Sequence, residues 1–373
     1  MRVVQVLPEL NEGGVERGTV ELSRELVKRG IESLIISKGG KLVEQVQREG
    51  GRHFAMDVCS KNPLTALPRA IALKQTLKDI DPDVIHARSR VPAWLCRLAN
   101  RGRQRRAFVT TVHGLNRINR YSRVMVSGDR VIAVGEPVRE HVCKGYGLPT
   151  DQVTVIDRGV DMNTFDPEQV DQVFIQQFKA EHGLEGKLVV TSVGRVTWLK
   201  DYESFITAIA KLAQDVPNIV GLIVGGVHPD KQAYLDGLKK QAEDQGVANS
   251  VVFAGSQSKI AEVYALSNLV VNASLKMGNV GRTVIEALAM DVPVIATTWP
   301  GLANLAEDGV NGAVIETKNP DALADAIKAL HADPPTNVRE TVPHSYTLDA
   351  MVERVIGVYE ELLDANASSE HEA

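Results

Sequence analysis

Short β-branched runs alternate with longer amphipathic stretches along almost the whole chain, and this alternation limits the fold more than any other feature. Residues 3–7 read as a strand, and 15–29 as a helix with Leu22 and Leu26 on one face. Further strands fall at 33–37, 83–86, 107–112 and 130–134, each leading into a helical stretch. A βαβα rhythm of this kind demands a largely parallel sheet covered by helices on both faces. From 157 to 173 the rhythm pauses in a polar connector holding Gly159, Asp161, Asn163, Asp166 and Pro167. It then restarts, with strands at 188–193, 220–224, 251–253, 269–272 and 294–296 and helices at 202–212, 232–245, 283–290 and 321–330. A last helix covers 352–363, and the polar tail from Ala365 is expected to fray.

The simplest account is α/β: two Rossmann-like, doubly wound parallel-sheet domains with an interdomain cleft. The boundaries read 1–165, 166–345, a closing helix within 346–364 that packs back on the first domain, and a tail at 365–373. A length of 373 residues suits two domains. The net charge of −5 is too mild to imply a nucleic-acid partner. Cys59, Cys96 and Cys143 fit no zinc, haem or disulfide pattern, which suggests a reducing cytoplasm. The first seven residues are too short for a signal peptide and run into Pro8, Glu9 and Glu12. No apolar run approaches the roughly 20 residues that cross a bilayer, so any membrane contact is expected to be peripheral.

Ligands of doubly wound sheets bind beyond the carboxyl ends of the strands. Four loops qualify. After the first strand, Gly13 and Gly14 let backbone approach a ligand closely or simply form a turn. The pattern is neither G-x-G-x-x-G nor a phosphate-binding G-x-x-x-x-G-K-[ST]. After the strand at 188–193, Arg195 and Lys200 can clamp a diphosphate or sit as solvated charges. After the strand at 269–272 comes a glycine-bearing loop, then a helix starting near Gly281, whose free N–H groups suit a phosphate. Arg282 and Thr283 open that helix. Glu286, about one turn in, can accept two ribose hydroxyls or face solvent. His113 ends the strand at 107–112, as a structural group or as a partner for a sugar hydroxyl.

In this order and spacing the loops resemble a family 4 glycosyltransferase of the GT-B architecture. The likeness spans Gly13-Gly14, the run from Asp81 to His86, Arg158-Gly159-Val160-Asp161 with Phe165, Gly194-Arg195 with Lys200, the run from Gly281 to Leu288, and the stretch from Gly301 to Gly312. It implies a retaining transferase that moves a sugar from a nucleotide-diphosphate sugar to a glycan or glycolipid. Arg195 and Lys200 would hold the donor diphosphate, Glu286 the ribose, and His113 would touch the donor sugar. Gly13, Gly14 and Gly281 to Thr283 would approach phosphate and sugar. The first half would bind the acceptor and the second the donor. Front-face attack, with the leaving phosphate taking the acceptor proton, needs no metal and no cofactor beyond the nucleotide-sugar co-substrate. One departure stands out. The family carries two glutamates separated by seven residues, and the first falls on Gly278, preceded by Met277 and followed by Asn279; Val280 stands where relatives often carry Phe.

Asp79, Asp81 and Asp83 match the D-x-D metal motif of another glycosyltransferase fold, but close a helix ahead of a strand and read as turn and capping residues. Arg97, Arg101, Arg103, Arg105 and Arg106, with Arg117, Arg120 and Arg123 on a nearby helical stretch beside Tyr121, form either solvated surface or a site for anionic lipid or an acidic acceptor. The segment from His113 to Ser122 is similar to relatives that build lipopolysaccharide core or other surface glycans. A cytoplasmic enzyme, peripheral on the inner face of the membrane, is therefore expected. Two other readings stay open: a sugar-nucleotide epimerase of the same architecture, and a non-catalytic protein that keeps the fold.

Overall fold

A computed structural model describes residues 1–11, 13–102, 105–275, 281–298 and 305–371, with side chains to 368. Met277, Gly278, Asn279, Val280, Arg103, Glu12 and Gly301 lie outside the described residues, so the departure at Gly278 is a statement about sequence. The chain divides into two compact units, 1–159 with 348–373, and 160–347.

The first unit runs β1 (Arg2–Val6), α1 (Gly14–Lys28), β2 (Glu32–Ser37), α2 (Val43–Arg48), β3 (Arg52–Ala55), α3 (Ala66–Ile80), β4 (Val84–Ala87), α4 (Arg90–Ala99), β5 (Ala107–Val112), β6 (Arg130–Ala133), α5 (Glu136–Tyr146) and β7 (Val153–Val155). Its described strands form one parallel sheet in the order β3-β2-β1-β4-β5-β6-β7. The second unit runs α6 (Gln172–His182), β8 (Leu188–Val193), α7 (Tyr202–Leu212), β9 (Ile219–Val224), α8 (Gln232–Asp244), β10 (Val251–Gly255), α9 (Ile260–Ala265), β11 (Leu269–Asn272), α10 (Arg282–Ala289), β12 (Val294–Thr297), β13 (Gly312–Ile315) and α11 (Pro320–Ala332). Its sheet is also parallel, in the order β10-β9-β8-β11-β12-β13. The last helix, α12 (Leu348–His371), belongs to the first unit.

Strand order reverses between β1 and β4 in one sheet and between β8 and β11 in the other. At such switch points the connections leave to opposite faces and open a crevice beyond the strand ends. The loops after β1, β4, β8 and β11 are therefore the ones to search. The strands that form these crevices are buried on both faces, as sheets covered by helices require. In the first unit, α1 and α12 cover one face, with Leu22, Leu26, Val352, Val355, Tyr359 and Leu362 in that core. Helices α3, α4 and α5 cover the other.

Three expectations change. The unit boundary lies at Gly159/Val160 and Thr347/Leu348, in place of 165/166 and 345/346. Phe165 is buried in the second core, 6.2 Å from the ring of Tyr264, which draws the end of the connector into that unit. The tail from Ala365 is helical to His371, because no Gly or Pro interrupts it. Between β5 and β6 the predicted helix is absent. Arg117 and Arg120 lie in irregular loop, and only Ser122–Val126 forms a short 3-10 turn. The strands β3, β7 and β13 have no counterpart in the sequence reading: each is a short, partly exposed strand at a sheet edge. Asp81 caps α3 in left-handed backbone and pairs with Arg106, while Asp83 accepts from the backbone N–H of Arg2, as turn and capping residues should. No described helix is long and apolar enough to cross a membrane.

Candidate active site

The second unit gathers most of the sequence-predicted donor residues around one switch point. After β8 the chain passes Gly194 and Arg195 and enters a 3-10 turn, Trp198–Lys200. The hydroxyl of Tyr202 donates to the Gly194 carbonyl at 2.7 Å and holds this loop against α7. Gly194 leaves room for Lys200, because a Cβ there would stand 2.4 Å from Lys200 Cε and push the side chain aside. With its stem packed in this way, the Lys200 ammonium reaches the loop after β11 and donates to Ser274 Oγ at 3.4 Å. The two loops are also tied by backbone, Leu275 N–H to the Leu199 carbonyl at 2.8 Å.

From Ser274 the network continues inward. Its hydroxyl donates to Asn272 Oδ1 at 2.5 Å, and Asn272 Nδ2 donates to Thr283 Oγ1 at 2.8 Å. Thr283 lies in the first turn of α10, so Lys200 and the start of that helix belong to one chain of hydrogen bonds. Gly281 takes the N-cap position in left-handed backbone, with no side-chain cap among the described residues and no acidic residue in the first turn. The free N–H groups and the helix dipole there favour an anion. Burial, and then the charge of Arg195, lower the Lys200 pKa to about 8. Arg195 itself is exposed. A desolvated ammonium beside a guanidinium gains from an incoming polyanion, because ligand charge replaces lost hydration.

Glu286 is buried at 5% exposure and does not face solvent. Its Oε1 accepts from Arg282 Nε at 2.5 Å and its Oε2 from the Tyr264 hydroxyl at 3.0 Å. A carboxylate offers about four lone-pair sites, so two oxygens fixed in this way can still accept a diol. Arg282 thereby has two roles: it opens the helix and orients Glu286.

The first unit holds a second group of polar side chains, at its own switch point. Gly13 precedes α1 as N-cap, and the Gly14 carbonyl accepts from Arg158. His113 follows β5; its Nδ1 lies 3.4 Å from Arg158 Nη1, and its Nε2 is shielded from solvent. Burial, reinforced by Arg88, Arg158 and His86, drives the His113 pKa well below the ordinary histidine value. Beneath it, His86 hydrogen-bonds Thr111 at 2.6 Å and Tyr359 on α12 at 2.7 Å. Arg88, directly after β4, donates to Gln5 Oε1 at 3.0 Å.

Arg88 and Tyr264 escaped the sequence reading, Arg158 entered it without a role, and Asn272 and Ser274 entered only as the end of a strand and the loop after it. Arg88 follows a switch-point strand, so the rule that singled out Lys200 applies equally to it. The role of Tyr264 has no sequence signal: it reaches Glu286 only by tertiary packing.

Residues 12–164 match the family model described as Glycosyltransferase Family 4. Residues 174–341 match that of Glycosyl transferases group 1. The crystal structure of a glycosyltransferase from Rickettsia africae ESF-5 is similar, with 30% identity, 97% of this chain and 98% of that one covered, and a TM-score of 0.87. Anabaena HepE, solved with UDP and glucose, shares the fold at 21% identity, 96% and 99% coverage and a TM-score of 0.82. The GDP-mannose-dependent alpha-(1-6)-phosphatidylinositol monomannoside mannosyltransferase of Mycolicibacterium smegmatis is 29% identical over 220 residues, 57% of this chain and 55% of that protein. The chain spans about half the length of the curated relatives it matches. With both halves matched in order and a full-length relative of the same architecture, this chain belongs to the group 1 glycosyltransferases of family 4.

Proposed function

We propose that the protein transfers a glycosyl group, with retention and without a metal, from a nucleotide-diphosphate sugar to a hydroxyl of a glycan or glycolipid acceptor. The observation that carries this reading is the chain from Lys200 through Ser274 and Asn272 to Thr283, which ties a partly desolvated ammonium to the start of α10. In the step proposed, the bond from the anomeric carbon to the diphosphate oxygen breaks as the acceptor oxygen bonds to that carbon on the same face. The acceptor proton passes to the departing diphosphate. Lys200, Arg195 and the N–H groups of α10 stabilise the charge that develops there. Glu286 holds the ribose, Gly281 to Thr283 the phosphates, and the first unit takes the acceptor, with Gly13, Gly14 and His113 facing the transferred sugar.

Relatives named for phosphatidylinositol monomannoside and D-inositol 3-phosphate support a phosphate-bearing or lipid-linked acceptor. A surface supports peripheral contact with anionic lipid on the cytoplasmic face and a place in surface-glycan assembly. There Arg90 stacks 5.6 Å from exposed Tyr121, Arg97 lies 6.0 Å from Trp94, and Trp94 Nε1 donates to the Tyr121 carbonyl. The test is release of nucleoside diphosphate from a panel of UDP- and GDP-sugars, with and without acceptor. Acceptor-dependent release that is lost in Lys200→Ala supports transfer. Equal release by wild type and that variant refutes it.

A further inference from the structure

Helix α3 carries two apolar stripes. Ala70, Leu73, Leu77 and Ile80 are buried in the core of the first unit. The second stripe starts in the 3-10 turn Pro63–Thr65 and runs through Leu64, Leu67 and Ile71, which are 86%, 65% and 62% exposed. Lys74 and Lys78 continue it on the same face, because alternating steps of three and four residues return to one side of a helix. Pro68 and Ala72 beside it are exposed as well. Single exposed leucines are ordinary. Three large apolar side chains in line, on a helix whose other stripe already fills a core, mark an interaction surface.

The charge around the stripe is of one sign. Residues 61–78 include Lys61, Arg69, Lys74 and Lys78 and no Asp or Glu. Residues 84–128 include ten arginines and again no acidic residue, in a chain whose net charge is −5. The fold joins the two stretches: α3 and α4 share one core, and Lys74 Nζ donates to the Arg101 carbonyl at 3.5 Å. Each helix follows a strand of a parallel sheet, so each begins at the carboxyl edge and runs back toward the amino edge. The apolar end of α3 therefore stands at the edge where the crevice opens. The start of α4 stands there too, with Arg90 over exposed Tyr121. The acids Asp81 and Asp129, which pair with Arg106 and Arg105, precede strands and lie at the opposite edge.

We propose that α3 is a bilayer-insertion element: Leu64, Leu67 and Ile71 enter the boundary between head groups and acyl chains of an anionic membrane, and Lys74, Lys78 and the arginines of α4 meet the lipid phosphates. This deepens the peripheral contact proposed above, and rests on it, by giving that contact an apolar anchor. An apolar stripe flanked by cations is the combination that holds a helix in an interface, with binding set by buried apolar area and by attraction to anionic lipid. The lysine stems lie along the apolar layer while their ammonium groups stay at phosphate level. A second copy fits less well, because a two-fold contact sets the same face against itself and brings cation to cation. A bilayer seated on this edge lets a lipid-linked acceptor reach the crevice with its tail still in the membrane.

The test is sedimentation of the full chain with vesicles of phosphatidylcholine alone and of phosphatidylcholine mixed with phosphatidylglycerol, without donor or acceptor. Binding should require the anionic lipid. Leu67→Glu with Ile71→Glu should weaken it at least about a hundredfold, the scale of two aliphatic side chains left in water. Lys74→Gln and Lys78→Gln should each cost about fivefold. Ile71→Trp reads insertion directly: its added emission should shift to shorter wavelength on the anionic vesicles and be quenched by lipids brominated on the acyl chains. This variant also decides the matter if the double glutamate variant folds poorly. Vesicle binding that the glutamates leave intact, or an Ile71→Trp emission that does not move, overturns the insertion element and spares the peripheral contact. Equal binding to neutral vesicles overturns the role of the cations. A dimer in solution that the glutamates dissolve assigns the stripe to a second copy and overturns the proposal. No binding to either vesicle overturns the contact as well, while nucleoside diphosphate release with a water-soluble acceptor tests transfer separately.

Discussion

Arg158 lies across α1 at Gly18, where a Cβ would overlap its guanidinium, and from there donates to the carbonyl of Gly14 one turn earlier. Gly18 leaves a gap on the helix, and Arg158 fills it on the way to His113. The side chain is nearly buried, so it cannot simply swing into water.

Gly18→Ala tests this packing by its sign. In a free helix alanine gains about 1 kcal/mol over glycine. Here it displaces Arg158 and breaks a charged hydrogen bond worth about 1.5–3 kcal/mol. Urea unfolding should show a net loss of about 1 kcal/mol. A more stable variant would mean that Arg158 is free to relocate.

Lys200 is expected to set the alkaline limb of the proposed activity. Its folded pKa, lowered to about 8, means that the ammonium of the free enzyme is lost as pH rises through that value. kcat/KM for the donor should therefore be flat below it and fall tenfold per unit above. Lys200→Ala should reduce turnover by about a hundredfold to a thousandfold, the scale for removing one electrostatic stabiliser of a leaving group. A profile flat to pH 9 contradicts the role.

Glu286 and Tyr264 should separate binding from chemistry. Glu286→Gln weakens acceptance of ribose hydroxyls and should raise the donor KM about tenfold with a smaller change in kcat, the signature of lost uniform binding. Tyr264→Phe removes one hydrogen bond to the carboxylate and should move KM in the same direction by less, with a stability loss of about 1 kcal/mol. A pure kcat effect in either variant would place Glu286 in the chemical step.

His86 and His113 should make the protein acid-sensitive. Burial lowers both pKa values well below that of an unfolded histidine. Below about pH 6.5 the unfolded chain binds protons that the native state refuses, so stability falls with falling pH. Each group adds a slope approaching about 1.4 kcal/mol per pH unit. Unfolding of His86→Asn, followed from pH 7 to 5, should lose about half of that slope.

Tyr359 joins α12 to the first sheet through His86 and is fully buried. Tyr359→Phe should cost about 1 kcal/mol for the hydrogen bond, and Tyr359→Ala about 3–5 kcal/mol for the cavity. Calorimetry of the two variants checks the ratio. Equal losses would mean that the ring volume contributes nothing.

The sequence by itself determined the two parallel sheets, the strands at 107–112, 188–193 and 269–272 to the residue, and the loops that matter. Those are local properties: β-branched runs, helical periods, and the rule that crevices open beyond strand ends. It also determined that Lys200 and Glu286 stand on such loops or just inside the helix after one. What those side chains touch was decided only by tertiary structure. Lys200 meets Ser274 because two crossovers leave opposite faces of one sheet, and Glu286 turns inward because Tyr264 packs behind it. Arg88, His113 and Arg158 are separated by 25 and 45 residues, steps of 88 to 113 and 113 to 158. No period in the chain links them. They become neighbours because the strand ends before the first two, and the connector carrying the third, converge at the same edge of one sheet.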